Sequence, residues 1–157
     1  MTAPPITGVS EIVLSVADLP RMREFYSTVL GFLVAHEACH ENGAVADPAG
    51  KPTISFLTIA PTDTPLGRHG HPQFLVLIDY PRHVFAKNRF DGHDVKQSTL
   101  NHLAFEIPPE SFARHFDRLN DLGLEPSLSE FPNFAAKAMF FKDPEGNVLE
   151  LITHAAK

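Results

Sequence analysis

The stretch EIVLSVADLPRMREFYSTVLGF, residues 11–32, contains the pattern that decides the fold. Its first part alternates apolar and other residues and puts Leu14 and Val16 on one face, which is typical of a half-buried strand. Its second part repeats apolar residues at helical spacing, between a suitable N-cap at Asp18 and a suitable helix end at Gly31. The stretch therefore predicts a strand that leads directly into an amphipathic helix.

The same pattern returns in the second half of the chain. LNHLAFEI, residues 100–107, alternates like the first strand, and PPESFARHFDRLNDLG follows it with helical spacing. Glu11 stands 20 residues before Gly31, and His102 stands 21 residues before Gly123. A repeat of this length is a strong indication of architecture.

Three further strands are predicted after each helix. In the first copy they are FLVAHEA, TISFLTIA and QFLVLID, and in the second they are LEPSLSEF, KAMFFKD and VLELIT. The fold class is therefore predicted as α+β, with two tandem βαβββ modules in one compact structural domain. The first module covers residues 1–79, a polar linker covers 80–99, and the second module covers 100–157.

Composition and charge restrict the partners. The net charge of −6 disfavours binding to nucleic acid, which requires basic patches. No apolar run approaches the roughly 20 residues that span a bilayer, so no membrane association is expected. Cys39 is the single cysteine, which excludes an internal disulfide and a cysteine-based zinc cluster. Because the N-terminus also lacks the pattern of a signal peptide, a cytoplasmic location is expected.

The stretch HEACHE, residues 36–41, contains the H-E-x-x-H pattern of zinc metalloproteases. That pattern holds zinc only on a helix, where positions i and i+4 share one face. Here Gly31 has ended a helix, and FLVAHEA is predicted as a strand. An extended chain would separate His36 from His40 by about 13 Å, so the sequence argues against a zinc peptidase.

Three stretches carry a resemblance to a known family: residues 11–32, LNHLAFEI at 100–107, and DPEGNVLELI at 143–152. In this order, and on this strand and helix pattern, they resemble the vicinal oxygen chelate superfamily. This superfamily includes glyoxalase I, extradiol dioxygenases, and the fosfomycin- and bleomycin-resistance proteins. The resemblance covers nearly the whole chain. It implies that the modules form a curved mixed sheet around a cleft, with metal ligands on the first and last strands.

By this resemblance, three positions fall on metal-ligand sites: Glu11, His102 and Glu150. Glu11 and Glu150 are also the candidate catalytic carboxylates, since a carboxylate can take a proton from a carbon next to the polarised oxygens. A fourth ligand is expected from the last strand of the first module. That strand has no glutamate, and His71 and Gln73 near its start are weak candidates. A Glu11–His102 ion pair without metal remains an alternative.

One imidazole and two carboxylates suit a divalent metal, and Fe, Mn, Ni, Zn and Mg all remain candidates. Such a metal polarises adjacent oxygens of a small-molecule substrate. The resemblance therefore implies a glyoxalase- or dioxygenase-like metalloenzyme with isomerase, lyase or oxygenase chemistry. Asn133 and Phe140 stand where extradiol dioxygenases carry His and Tyr, which argues against standard ring cleavage.

A second function class is a metal-free binding protein similar to the bleomycin-resistance proteins, which sequester a small molecule in a groove. Phe90, Phe131, Phe134 and Phe140 are candidates to line such a groove. This class would hold no metal and would tolerate the loss of His102 and Glu150. In either class a homodimer is expected, because exposed edge strands tend to pair.

Overall fold

The chain folds into two units that repeat one order of elements. In this computed structural model the described residues are 8–43, 46–64, 72–87 and 97–154. The units comprise Met1–His93 and Asp94–Lys157. Within the described residues, each contains one α-helix and one four-stranded mixed sheet. The predicted α+β class with two tandem βαβββ modules is therefore confirmed.

The first unit contains one βαβββ module, and its sheet is mixed. Its elements are β1 (Glu11–Val16), α1 (Leu19–Val29), β2 (Leu33–Ala38), β3 (Ile54–Ala60) and β4 (Gln73–Asp79). The strand order is β1-β4-β3-β2, so the first and last strands of the module are neighbours. They run parallel, while β2, β3 and β4 pair antiparallel.

The second unit repeats this topology. Its elements are β5 (Leu103–Glu106), α2 (Phe112–Asp121), β6 (Ser127–Phe131), β7 (Ala136–Lys142) and β8 (Val148–His154). Short 3-10 helices at Pro109–Ser111 and Pro132–Phe134 precede α2 and β7. The strand order is β5-β8-β7-β6, the counterpart of the first sheet. This match explains the nearly equal spacing of the two sequence repeats.

Both helices begin and end near the predicted residues. The Asp18 side chain accepts a hydrogen bond from the Arg21 amide at 3.1 Å, which satisfies one of the free N–H groups at the start of α1. Beyond the ends of α1 and α2, Gly31 and Gly123 have φ angles of +74° and +73°. Glycine adopts this left-handed conformation without steric cost, so it stops each helix where the next strand must turn back.

Each unit has its core between the helix and one face of its sheet. In the first unit, Tyr26 of α1 and Leu77 of β4 are fully buried. In the second unit, Leu119 of α2 and Leu149 of β8 are buried, and Lys137 of β7 lies over the Phe112 ring of α2. Residues at alternate strand positions therefore lie on the opposite face, away from the helix.

The HEACHE stretch begins within the predicted strand, which is β2. His36 lies within β2, where its ring is 6.0 Å from the Phe56 ring, and His40 follows the strand, 5.4 Å from the His83 ring. The two histidines therefore contact different neighbours. Among the helices of the described residues, none has the length and apolar content needed to cross a membrane.

Candidate functional site

The register of the second sheet places Glu150 between two neighbouring strands. Glu150 of β8 pairs with Ala104 of the parallel strand β5 and with Phe140 of the antiparallel strand β7. Leu149 and Leu151, on either side of it, belong to the core. Glu150 therefore lies on the face away from α2, although its side chain is only 6% exposed.

The partner of this buried carboxylate is His102, two residues before Ala104. His102 Nε2 lies 3.0 Å from Glu150 Oε2, and the His102 side chain is 36% exposed. A carboxylate with so little access to water is costly unless a hydrogen bond, a charge or a metal compensates it. The structure therefore brings together two of the three predicted site residues.

Two neighbours fix the orientation of the His102 ring. Its Nδ1 lies 2.7 Å from Asn101 Oδ1, a carbonyl oxygen that accepts the Nδ1 proton. The edge of the ring faces Phe140, with ring centroids 5.7 Å apart and planes at 90°. A hydrogen bond at one ring nitrogen sets which nitrogen is available for other chemistry. Asn101 therefore directs Nε2 toward Glu150.

The His102–Glu150 pair has donors that fit a divalent metal. In an octahedral site, bonds of about 2.1 Å at right angles place two ligand atoms roughly 3.0 Å apart, which is the observed separation. An acceptor on the second ring nitrogen is the usual support of a metal-binding histidine. Across the described residues, however, no three His, Cys, Asp or Glu side chains form a metal-binding group. On its own the pair could offer a metal two ligands.

The third predicted ligand, Glu11, is the first residue of β1 and is exposed. It belongs to the first unit and pairs in register with Phe74 of β4. Gln73, a weak candidate for the fourth ligand, donates a hydrogen bond from its side-chain amide to the Val9 carbonyl at 3.2 Å. His71, the other candidate, lies outside the described residues.

The internal repeat shows which residue of the first module stands at the position equivalent to Glu150. In the second unit Ala104, two residues after His102, pairs with Glu150. In the first unit Val13, two residues after Glu11, pairs with Val76. Val76 therefore occupies the position that Glu150 has in its own module, and its apolar side chain is 1% exposed.

A pocket of about 360 Å³ lies beside the His102–Glu150 pair on the same face of the second sheet. Its walls are mostly apolar and include Phe131, Phe134 and Phe140. Ala136 and Ile152 also line it, and His154 is its third polar residue. A concave apolar site with a few convergent polar groups is the usual form of a small-molecule site.

Sequence reasoning missed part of this site. Alternation along β8 predicts that Ile152 and His154 share the face of Glu150, and this signal was available from the sequence. His154 Nδ1 lies 3.7 Å from Glu106 Oε1, with both side chains well exposed. Apart from its position next to His102, nothing in the sequence indicated a role for Asn101. Its hydrogen bond depends on the orientation of the His102 ring, which only the structure shows.

The first unit contains a pair of neighbouring histidines, His40 and His83. His83 is 2% exposed, and its Nδ1 accepts a hydrogen bond from the Phe85 amide at 3.2 Å. Its Nε2 is buried with no hydrogen-bond partner among the described residues. Burial, and to a lesser extent the charge of His40, holds the pKa of His83 below its usual value.

Solved structures with the same fold cover almost the whole chain. A glyoxalase/dioxygenase from Nostoc punctiforme is 24% identical, with a TM-score of 0.64 and coverage of 99% of this chain and 97% of that one. The fosfomycin resistance protein FosX from Listeria monocytogenes is 19% identical, with a TM-score of 0.63 and 96% of both chains covered. Lactoylglutathione lyase from Agrobacterium tumefaciens is 19% identical, with a TM-score of 0.60 and 96% of both chains covered.

At these identities the likeness to solved structures shows the fold alone. No curated protein sequence matches the chain. A family model, in contrast, matches residues 8–151, which is most of the length. The chain therefore belongs to the Glyoxalase/Bleomycin resistance protein/Dioxygenase superfamily.

Proposed function

We propose that this protein is a divalent-metal enzyme that acts on a small molecule with two adjacent oxygens, with His102 and Glu150 as metal ligands. One observation carries the proposal: a nearly buried carboxylate lies 3.0 Å from an imidazole nitrogen that Asn101 holds in position. FosX, one of the structural neighbours, has been crystallised with Mn(II) and 1S,2S-dihydroxypropylphosphonic acid. This supports a divalent metal without choosing its identity.

Different residues of this protein would have different roles in the proposed reaction. A divalent metal at the pair would supply a Lewis acid that polarises an oxygen of the substrate. His102 presents Nε2 because its other nitrogen is occupied by Asn101. Phe140 and the apolar wall exclude water from one side, which strengthens electrostatic interactions within the pocket. Glu11, the predicted third ligand, is the candidate for proton transfer.

A metal-free binding protein is the second candidate. It is favoured by the fact that the His102 ring already lies within hydrogen-bond distance of the Glu150 carboxylate, beside a pocket walled by phenylalanines. The two candidates differ in one property. An enzyme of the proposed kind depends on metal at the pair, whereas a sequestering protein binds its ligand equally well in EDTA.

Calorimetric titration of metal-free protein with Mn(II), Fe(II), Ni(II) and Zn(II) tests the proposal. Wild type is expected to bind one ion, and Glu150→Ala is expected to abolish this binding. Glu130→Ala is the matched control, since Glu130 is an exposed glutamate of the same unit on β6. A wild type that takes up none of the four ions would reject the metalloenzyme in favour of the binding protein.

The Glu11→Ala variant tests the third ligand in the same titration. If Glu11 is a ligand, its loss weakens metal binding without changing the stability of the second unit, in which it has no part. An affinity equal to that of wild type would remove Glu11 from the ligand set and leave His102 and Glu150 in place.

A further inference from the structure

The segment 80–87 follows β4 and packs against the segment 39–53, which joins β2 to β3. The Val84 amide donates a hydrogen bond to the His40 carbonyl at 2.7 Å. His40 is itself held in place, because its amide donates to the Thr53 hydroxyl at 2.9 Å. Two connections of the first unit are therefore joined to each other outside the sheet.

The His83 side chain lies at the centre of this contact. His83 is 2% exposed, and its ring centroid lies 5.4 Å from that of His40 and 5.5 Å from that of Phe85. Its Nδ1 accepts a hydrogen bond from the Phe85 amide, so the proton of the neutral ring is on Nε2. The buried Nε2 has no hydrogen-bond partner among the described residues. The neutral imidazole is therefore the form that fits this contact.

A second proton on the His83 ring would oppose the contact in two ways. It would bind at Nδ1, which would then face the Phe85 amide as a second donor, and their hydrogen bond would be lost. It would also leave a positive charge buried without a partner, which is costly. When the segment 80–87 moves away from the segment 39–53, His83 meets water and both costs disappear.

The charged groups around His83 do not offset such a charge. His40 faces it from the segment 39–53, and after burial its charge is the second cause that lowers the pKa of His83. The two nearby carboxylates already accept hydrogen bonds from Arg82, Glu41 at 2.8 Å and Asp79 at 3.3 Å. The other titratable groups in the described part of these two segments are Cys39, Asp47, Lys51, Tyr80 and Lys87.

We propose that His83 is an acid-sensitive lock, whose neutral ring holds the segment 80–87 against the segment 39–53 and whose protonation releases it. Residues 80–87 are the first part of the predicted linker between the modules, so acid would loosen the attachment of this linker to the first module. Release is expected as the pH falls below about 6.5, the ordinary pKa of an exposed histidine. The lock does not depend on metal binding.

Hydrogen–deuterium exchange of the full chain at pH 7.5 and 5.5 tests the lock. Four amides report on it, because they donate to His40 or His83: those of Val84, Phe85, Ala86 and Lys87. After correction for the intrinsic exchange rates, their protection should fall by up to about tenfold at the lower pH, if opening exposes His83.

The β4 amides provide the reference for local opening, because they belong to the sheet itself. The four reporter amides should exchange faster than those of β4 at both pH values. Low concentrations of urea should accelerate exchange in β4 more than in the segment 80–87, because opening of the sheet exposes more surface.

Two variants remove the titration at this position. His83→Phe keeps a buried ring, and His83→Gln keeps an acceptor for the Phe85 amide. In both variants the difference in protection between the two pH values should disappear, even where protection is lower at both. His40→Gln is the matched control, since it removes the neighbouring titratable ring and should keep most of the wild-type difference.

Three results would overturn the lock. The first is equal protection of the four amides at the two pH values in wild type. The second is a pH difference that persists in both His83 variants or is lost in His40→Gln, because another group would then be the sensor. The third is exchange of the four amides no faster than that of β4, because the segment would then open only together with the sheet.

Discussion

Replacing Asn101 tests how the His102 ring is held. The Asn101 carbonyl oxygen lies 2.7 Å from His102 Nδ1 and fixes the nitrogen that carries the proton. In Asn101→Ala this acceptor is lost, the imidazole can rotate, and either nitrogen can carry the proton. Metal affinity should fall even though Asn101 itself would not contact the metal.

The expected loss of metal affinity follows from the position of Asn101. Removing the hydrogen-bond partner of a metal-binding histidine typically costs about 10–100-fold in metal affinity, or about 1.4–2.8 kcal/mol. Asn101 is exposed, so water can partly replace its oxygen. We therefore expect a loss near the lower limit, about tenfold.

Competition with a fluorescent metal indicator measures this difference directly. Asn101→Asp keeps an acceptor at the same place and should bind metal at least as tightly as wild type, because a carboxylate raises the basicity of the ring. Asn120→Ala is the control, since Asn120 is also exposed and donates to the Phe116 carbonyl of α2. The reasoning fails if Asn101→Ala binds metal like wild type, or if Asn101→Asp loses as much affinity as Asn101→Ala.

Two further predictions concern the metal-free protein. His102→Ala leaves the Glu150 carboxylate, whose side chain is 6% exposed, without its partner, and should lower the free energy of unfolding in urea by about 1–3 kcal/mol. The double variant His102→Ala/Glu150→Leu should recover most of the lost free energy of unfolding, because it removes the unpaired carboxylate. If the double variant were as unstable as His102→Ala, the unpaired carboxylate would not be the cause of the loss. Because the pKa of His83 is lowered in the folded state, the stability that it contributes is complete above about pH 6.5 and is lost as the pH falls below that value. The melting temperature should therefore fall less between pH 7 and 5.5 in His83→Phe than in wild type. Part of the decline that remains in the variant comes from His115, whose pKa is also lowered by burial. Equal declines in the two proteins would contradict the role of His83 in this pH dependence.

The strands and helices were predictable because their signals are local. QFLVLID was predicted as a strand over 73–79, and β4 spans Gln73–Asp79. The alternation in LNHLAFEI predicts that His102 and Leu103 lie on opposite faces, and Leu103 is indeed in the core, whereas His102 contacts Glu150. Periodicity of 2 or 3.6 residues is enough to assign such faces.

The pairing within the site was less predictable because it depends on register. His102 and Glu150 are far apart in the sequence, and only the parallel pairing of β5 with β8 brings them within 3.0 Å. The position at which a fourth ligand was expected also depends on register. Composition identifies a strand without glutamate, but the pairing of Val13 with Val76 is needed to show that Val76 stands at the position equivalent to Glu150.

The wall of the pocket was only partly predictable. Phe131, Phe134 and Phe140 were recognised as candidate groove residues, and all three line the pocket. Phe90, the fourth candidate, lies outside the described residues. Phe134 is followed by Ala135 in a left-handed conformation, which the sequence does not signal because alanine rarely adopts it.

A crystal grown with Mn(II) and measured at a wavelength where manganese scatters anomalously provides the most direct test of the metal site. The account predicts one strong anomalous peak about 2.0–2.2 Å from both His102 Nε2 and a carboxylate oxygen of Glu150. An anomalous map with no peak there, with the imidazole and carboxylate still paired at 3.0 Å, would contradict the metal site and favour the binding protein.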